Sequence, residues 1–205
     1  MSDIKIYKLF PTPIFQCKVD DYINLNSELE NYIYNLRKKD ETGLKVSNGG
    51  GGWHSPIFKI SESEVLKKFC HRISGNLHEI TTKHYAWDCK IEQIEFEGMW
   101  SIINSKNSYN LRHFHPNCHL SAAYYVKAKE NCGKIKFFDP VDAKVMISPP
   151  RKKFVDLSAE AINFNPNEGD LLVFPSYLHH SVEENLSGED RIVISFNISI
   201  VKNYK

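Results

Sequence analysis

The sequence predicts a mostly β protein with two N-terminal helices, in which the strands form a sandwich or jelly-roll barrel. Two observations predict this class. Apolar residues recur at helical spacing in two early segments, and from Ile91 onward short β-branched and aromatic runs alternate with turn residues. No helical pattern interrupts these runs, which favours a sandwich or jelly roll over a parallel sheet. We therefore expect the two helices to cover one face of a sheet.

The two helices follow from the spacing of their apolar residues. The segment from Asp21 to Lys39 has an apolar residue every three to four positions, which predicts a first amphipathic helix. A second stripe begins after Ser61 and Glu64, which form a capping-box pattern, and it ends near residue 83. The glycine-rich stretch between them, residues 42–56, lacks the pattern of a phosphate-binding loop. We expect this stretch to be a flexible connector.

Five runs in the second half have the composition of strands. They are IEQIEFEGMWSII, LSAAYYV, KIKFF, DLLVF and RIVISFNISIV. Side chains of a strand alternate between its two faces, so the last run has one apolar and one mixed face. The apolar face, expected to pack on the helices, contains Ile192, Ile194, Phe196, Ile198 and Ile200. The other face, expected to point into the barrel, contains Arg191, Val193, Ser195 and Asn197. A buried arginine needs an anion or a buried partner, because an unpaired buried charge is costly.

Length and composition restrict the class of protein. With 205 residues, we expect one domain, made of a helical support region (1–88) and a jelly-roll core (89–205). The 26 Lys and Arg balance 25 Asp and Glu, so neither a nucleic acid nor a membrane is predicted as a partner. The chain has no long apolar run, its start is charged, and its five cysteines form no CxxC pair. These features favour a cytoplasmic protein with reduced thiols.

Histidines cluster in two short stretches. RHFHPNCHL, residues 112–120, contains His113, His115 and His119, and FPSYLHHSV contains His179 and His180. Side chains at i and i+2 of a strand project to the same side, so His113 and His115 can converge on one metal ion. His180 follows the apolar strand LLVFP and is a candidate for a third ligand, in which case His179 points away.

The order of these motifs resembles that of the 2-oxoglutarate- and Fe(II)-dependent dioxygenases. The chain has H-x-H-P, LSAAYYV, CGKIKFFDP, NEGDLLVFPSYLHHSV and RIVISFN in the order of that family, and His180 is followed eleven positions later by Arg191. The pieces LFPTPIF and SNGGGGWHSP also resemble a less characterised branch with prokaryotic and phage members. The likeness covers most of the chain.

The resemblance implies a double-stranded β-helix, or jelly roll, that binds Fe(II) through His113, His115 and His180. Most of the family uses two histidines and one carboxylate, and this chain departs from that pattern, since neither His115 nor Asn117 is acidic. In this respect HFHPNCHL resembles the aspartyl and asparaginyl β-hydroxylases. The third ligand is left open between His115, Asn117, Asp139 and water.

The resemblance also implies residues for the cosubstrate. Arg191 would hold the distal carboxylate of 2-oxoglutarate in a charge-assisted pair. Ser195 lies on the same face of its strand as Arg191, and Tyr125 and Asn110 are further candidates for cosubstrate contact.

The implied activity is a hydroxylase that couples oxidative decarboxylation of 2-oxoglutarate to oxidation of a C–H bond. The substrate would be a small molecule or a peptide, and the loops at residues 48–52 and 141–170 are candidates for its rim. One alternative is a cupin-like metal protein that uses no 2-oxoglutarate, and another is a jelly-roll module without catalysis. Arg191 favours the oxygenase, because a cupin-like protein has no need of an interior arginine. The sequence predicts neither the prime substrate nor the oligomeric state.

Overall fold

Two antiparallel sheets enclose a cavity, and two helices cover the outside of the larger sheet. The structure is a computed structural model that describes residues 3–141, 143–146, 149–153, 155 and 157–201. The helices are α1 (Tyr22–Lys39), α2 (Glu64–Glu79) and the short α3 (Ala143–Met146). The strands are β1 (Phe15–Lys18), β2 (Asn48–Gly49), β3 (Trp53–His54), β4 (Ile94–Asn104), β5 (Tyr109–His113), β6 (Leu120–Lys127), β7 (Ile135–Phe138), β8 (Ala161–Phe164), β9 (Asp170–Pro175), β10 (His180–Val182) and β11 (Arg191–Ile200).

The strand order confirms the predicted jelly roll. The larger sheet has the order β1-β9-β6-β11-β4-β3, and the smaller sheet has the order β2-β5-β10-β7-β8. Neighbouring strands in both sheets pair antiparallel, and β11 lies between β6 and β4 near the centre of the larger sheet. The alternating faces of β11 are therefore directed towards the helices on one side and the cavity on the other.

The apolar face of β11 packs against α1 and α2, as predicted from its alternation. Ile192, Ile194, Phe196 and Ile198 are fully buried in one cluster with the apolar stripes of the two helices, while Ile200 at the strand end is half-buried. The helical stripes contribute Leu25, Leu29, Ile33, Leu66, Phe69, Ile73 and Leu77. Burial of these side chains supplies the hydrophobic stabilisation that holds the helices on the sheet.

The predicted cap of α2 was wrong by two residues. Ser63, rather than Ser61, is the N-cap, since its Oγ accepts a hydrogen bond from the Leu66 N–H at 3.4 Å. Ser61 lies in a preceding 3-10 turn, Ile60–Glu62, which shifts the start of the α-helix along the chain. At the other end, a π-helical turn, Ile80–His84, prolongs the helix to the position predicted from its stripe.

The prediction of a flexible connector at residues 42–56 was also wrong. In this stretch β2 pairs with β5 of the smaller sheet, and β3 pairs with β4 of the larger one. The turn between them uses Gly50 at φ 61°, where an added Cβ would lie 2.2 Å from the carbonyl oxygen of Asn107. The glycines therefore permit a close backbone approach that connects the two sheets.

The first 88 residues contribute β1, β2 and β3 to sheets formed mainly by later strands. The division of the chain into a support region and a core stays a prediction. None of the helices in the described part of the chain combines the length and the apolar character needed to span a bilayer.

We expect replacement of a buried residue of α1 to destabilise the protein strongly. Ile33 is 0% exposed, and Ile33→Ala should lower the free energy of unfolding by about 2–5 kcal/mol because it removes packed methylene groups and leaves a cavity. Ile23→Ala is the matched control, since Ile23 lies on the same helix and is 70% exposed. Its effect should stay within about 0.5 kcal/mol. Urea denaturation followed by circular dichroism measures both changes, and equal effects would contradict the packing of α1 on the sheet.

Candidate active site

Three histidines at or just beyond the strand ends of the smaller sheet converge at one end of the cavity. His113 ends β5, His180 begins β10, and these two residues lie directly opposite each other in the antiparallel pair. His115 follows two residues after His113. One potential ligand atom from each histidine lies within 4.8 Å of those from the other two. The structure thus brings together the histidines that the sequence predicted as metal ligands.

Backbone hydrogen bonds orient two of the three rings. The Nδ1 atom of His113 lies 2.7 Å from the carbonyl oxygen of Leu111, and Nδ1 of His180 lies 2.9 Å from that of Leu178. A carbonyl oxygen only accepts, so each Nδ1 carries the proton and donates. In a neutral ring the lone pair is then on Nε2, which is free to bind a metal ion.

The surroundings keep these imidazoles uncharged. Burial, followed by the effect of the neighbouring imidazoles, lowers the pKa of His180 to about 3 and that of His115 to about 4. Burial also lowers the pKa of His113. A metal ion binds the neutral form of imidazole, so the cluster is in its ligating form at neutral pH.

The other candidates for the third ligand lie elsewhere. Asn117 is exposed at φ 64° in the turn after the cluster. Asp139 follows β7, where its Oδ1 accepts a hydrogen bond from the Val141 N–H at 2.8 Å. His119 is exposed, and its Nδ1 accepts from the Ile200 N–H. Among the residues that the structure describes, the one group of His, Cys, Asp or Glu with metal-binding geometry is the three-histidine cluster.

Arg191 lies at the other end of the cavity with its guanidinium fully buried. Its Nη2 donates to the side-chain oxygen of Asn104 at 2.9 Å and, at 3.5 Å, to that of Asn110. Its Nη1 donates to the carbonyl oxygen of Gly133 at 3.3 Å, whereas Nε has no partner among the described residues. Every one of these partners is uncharged. A buried cation with neutral partners and a free donor fits an anionic ligand.

The other predicted cosubstrate residues line the same cavity. Tyr125, on β6, is 1% exposed, and burial raises the pKa of its hydroxyl while the nearby Arg191 lowers it in part. Asn110 is buried and donates through Nδ2 to Ser47 Oγ at 3.2 Å. Ser195 is half-buried two positions after Val193 on the inward face of β11. Arg191 is the only lining residue with a permanent charge in the part of the chain that the structure describes.

Sequence analysis missed three residues of this site. Asn104 is fully buried against Arg191, while His54 and Trp100 line the cavity beside the histidine cluster. The alternation of β4 would have directed Trp100 and Asn104 to the same face. His54 gave a weaker signal, because it lies in the glycine-rich stretch that we expected to be a connector.

Comparison with solved structures shows the same fold in several proteins. A prolyl-4-hydroxylase of Pseudomonas putida is 13% identical, with a TM-score of 0.66 over 93% of this chain and 94% of that one. HygX from Streptomyces hygroscopicus with nickel and 2-oxoglutarate bound is 12% identical, with a TM-score of 0.60 over 93% and 83%. The viral collagen prolyl hydroxylase vCPH from Paramecium Bursaria Chlorella virus-1, a 2-oxoglutarate complex, is 14% identical, with a TM-score of 0.57 over 92% and 96%.

Comparison with protein families gives one match that spans the strands of the site. Residues 98–197 match the family model described as "Putative 2OG-Fe(II) oxygenase". No curated protein sequence matches the chain significantly. The likeness to aspartyl and asparaginyl β-hydroxylases stays a prediction. The matched segment includes the histidine cluster and Arg191, and over these residues the chain is similar to the 2-oxoglutarate- and Fe(II)-dependent oxygenases.

Proposed function

We propose that the protein is a hydroxylase that uses Fe(II) and 2-oxoglutarate to oxidise a C–H bond of a small molecule or peptide. The observation that carries this proposal is the arrangement of the cavity. A cluster of neutral imidazoles lies at one end, and at the other lies a buried arginine whose Nε has no partner among the described residues. A metal ion and a dicarboxylate match these two ends in charge and in ligand type.

In this proposal His113, His115 and His180 are the iron ligands. Imidazole nitrogen suits Fe(II), and the lowered pKa values of the three rings keep their lone pairs available. Three neutral ligands leave the full charge of the ion uncompensated, unlike a site with one carboxylate. This supports tight binding of an anionic cosubstrate next to the metal.

Arg191 is proposed to bind the distal carboxylate of 2-oxoglutarate. The planar guanidinium can offer its free Nε together with an Nη to two carboxylate oxygens. A tyrosine hydroxyl is protonated at neutral pH, and burial raises the pKa of Tyr125 further, so its hydroxyl can donate to the same carboxylate. We assign Ser195 and Asn110 a supporting role in orienting the cosubstrate.

Bound iron with 2-oxoglutarate and dioxygen would couple oxidative decarboxylation of the cosubstrate to oxidation of the substrate C–H bond. The protein itself orients the reactants and excludes water. Ile102, Phe174 and Val193 supply apolar walls of the cavity. These walls lower the local polarity, which strengthens the pairing of Arg191 with a carboxylate.

The substrate class remains a small molecule or a peptide. Similar structures include prolyl hydroxylases and a HygX complex with hygromycin B, so this fold accommodates chemically different substrates. We propose that residues 48–52 contribute to the rim of the substrate cleft. The second rim loop, residues 141–170, lies partly outside the described residues, and within it Arg151 forms an ion pair with Glu160. A cytoplasmic location stays a prediction, supported by five unpaired cysteines.

Removal of a proposed iron ligand should weaken metal binding strongly. His180→Ala is expected to weaken Fe(II) binding by more than about 100-fold, exceeding the loss typical of a residue that only supports a ligand. Succinate release from 2-oxoglutarate under air should disappear with it. His179→Ala is the matched control, because His179 is the adjacent histidine and packs on Phe114 outside the cluster. If both variants keep the iron affinity and turnover of the unmodified protein, the ligand assignment is wrong.

Replacement of Arg191 should weaken binding of the cosubstrate without loss of the metal. Loss of a buried charge pair costs about 2–5 kcal/mol, so Arg191→Met should raise the half-saturating concentration of 2-oxoglutarate by about 30-fold or more. The half-saturating concentration for Arg191→Lys should lie between those of the unmodified protein and Arg191→Met, since lysine keeps the charge but loses the planar guanidinium. Anaerobic titration of the iron-loaded protein, followed by its charge-transfer absorption, measures this value.

Arg72→Met is the control for this titration, because Arg72 lies on α2 in an ion pair with Asp21 at 3.4 Å and outside the cavity. It should leave the half-saturating concentration unchanged. If iron-loaded unmodified protein develops no charge-transfer band with 2-oxoglutarate, the cosubstrate assignment fails, and a cupin-like metal protein becomes the better description.

A further inference from the structure

The three histidines of the cluster differ in how their rings are held. His113 and His180 each donate from Nδ1 to a backbone carbonyl oxygen. The backbone N–H of His115 donates to the Ser176 carbonyl oxygen at 3.0 Å, but neither ring nitrogen has a hydrogen-bond partner in the part of the chain that the structure describes. The main chain of His115 is therefore anchored, whereas within the described part of the chain its ring is held by packing alone.

That packing includes the indole of Trp100. The Trp100 and His115 rings lie 5.6 Å apart between centroids at an interplanar angle of 47°. Trp100 also stacks on His54, at 5.8 Å and 13°. Both aromatic residues line the cavity beside the cluster, and His54 is only 7% exposed.

His54 is itself fixed by a set of hydrogen bonds. Its Nδ1 lies 2.6 Å from the carbonyl oxygen of Ser55 and donates to it. The Ser55 N–H donates to the Ser101 carbonyl oxygen, and the Ser101 N–H donates to Ser55 Oγ, both at 2.9 Å. Because Ser101 is the neighbour of Trp100 in β4, these bonds lock His54 and Trp100 to the same segment of strand.

We propose that Trp100, braced by His54, is a positioning residue that holds the His115 ring in the orientation needed to bind the metal ion. In this role the indole replaces the hydrogen bond that orients the other two histidines. The stacked rings of Trp100 and His54 form a rigid surface, and close packing against this surface restricts rotation of the His115 ring. This inference rests on the proposed function, since it takes His115 as a ligand.

Metal affinity tests this role without any need for the substrate. The probe is Co(II), titrated alone into the metal-free protein, with visible absorption reporting both affinity and ligand geometry. Trp100→Ala should weaken Co(II) binding by about 10-fold or more and alter the spectrum, which is the scale of effect for a residue that orients a ligand. Trp100→Phe should recover most of the affinity. His54→Ala should weaken binding less, and His54→Phe should restore it, because the phenyl ring keeps the stack.

Trp87→Ala is the matched control. Trp87 is also half-buried, and its ring lies 5.7 Å from that of His119, so this variant removes a similar tryptophan–histidine contact outside the cavity. It should leave Co(II) affinity and spectrum unchanged. Thermal unfolding of the metal-free variants separates loss of fold from loss of the site. If Trp100→Ala does not fold, the other three variants test the inference. His54→Ala should weaken Co(II) binding, whereas Trp100→Phe and His54→Phe should keep most of the Co(II) affinity.

A double-mutant cycle separates positioning from a general effect. If Trp100 acts through His115, then Trp100→Ala should cause no further loss of affinity in a protein that already carries His115→Ala. The inference is overturned if Trp100→Ala lowers Co(II) affinity as much in the His115→Ala protein as in the unmodified one. It is also overturned if Trp100→Ala binds Co(II) as tightly as Trp87→Ala does. If His180→Ala also binds Co(II) normally, the ligand assignment itself has failed. If His180→Ala loses the metal, only the role of Trp100 is rejected.

Discussion

Burial of the Arg191 guanidinium is the constraint on which the arrangement of the barrel depends. The charge lies inside the protein, and its hydrogen-bond partners among the described residues are the neutral oxygens of Asn104, Asn110 and Gly133. Asn104 comes from the larger sheet and Asn110 from the smaller one, which means that one side chain connects both. The Nε atom is buried without a hydrogen-bond partner among the described residues, and a bound anionic cosubstrate would supply the missing acceptor.

The same strand determines where the helices lie. Because side chains alternate along β11, directing Arg191 into the cavity directs the intervening isoleucines outward onto α1 and α2. Polar contacts reinforce this attachment near the arginine. Tyr34 of α1 donates to Asp190 Oδ2 at 3.0 Å, and Lys127 of β6 pairs with Glu30 of α1 at 3.2 Å. The helices therefore support the segment from which the guanidinium projects.

Pairing of strands creates the metal end of the cavity. The antiparallel register of β5 and β10 sets His113 opposite His180, and a bulge between them leaves Asn110 facing Arg191. The two strand ends thus align imidazoles from distant parts of the sequence, and short backbone hydrogen bonds select the ring nitrogen that faces inward. Among the described residues the third imidazole has no such bond, and it packs on the Trp100 ring from the opposite sheet.

Local pattern was enough to predict much of this molecule. Helical spacing predicted α1, the alternation of β11 predicted which residues face the cavity, and motif order predicted the histidines and the arginine with the chemistry they can perform. These features depend on residues close together in the chain or on a resemblance. The cap of α2, the pairing of the glycine-rich stretch with both sheets, and the roles of Asn104, His54 and Trp100 were decided by tertiary structure. The physical reason is that hydrogen-bond partners and ring contacts join residues far apart in sequence, and no local periodicity specifies which of them meet.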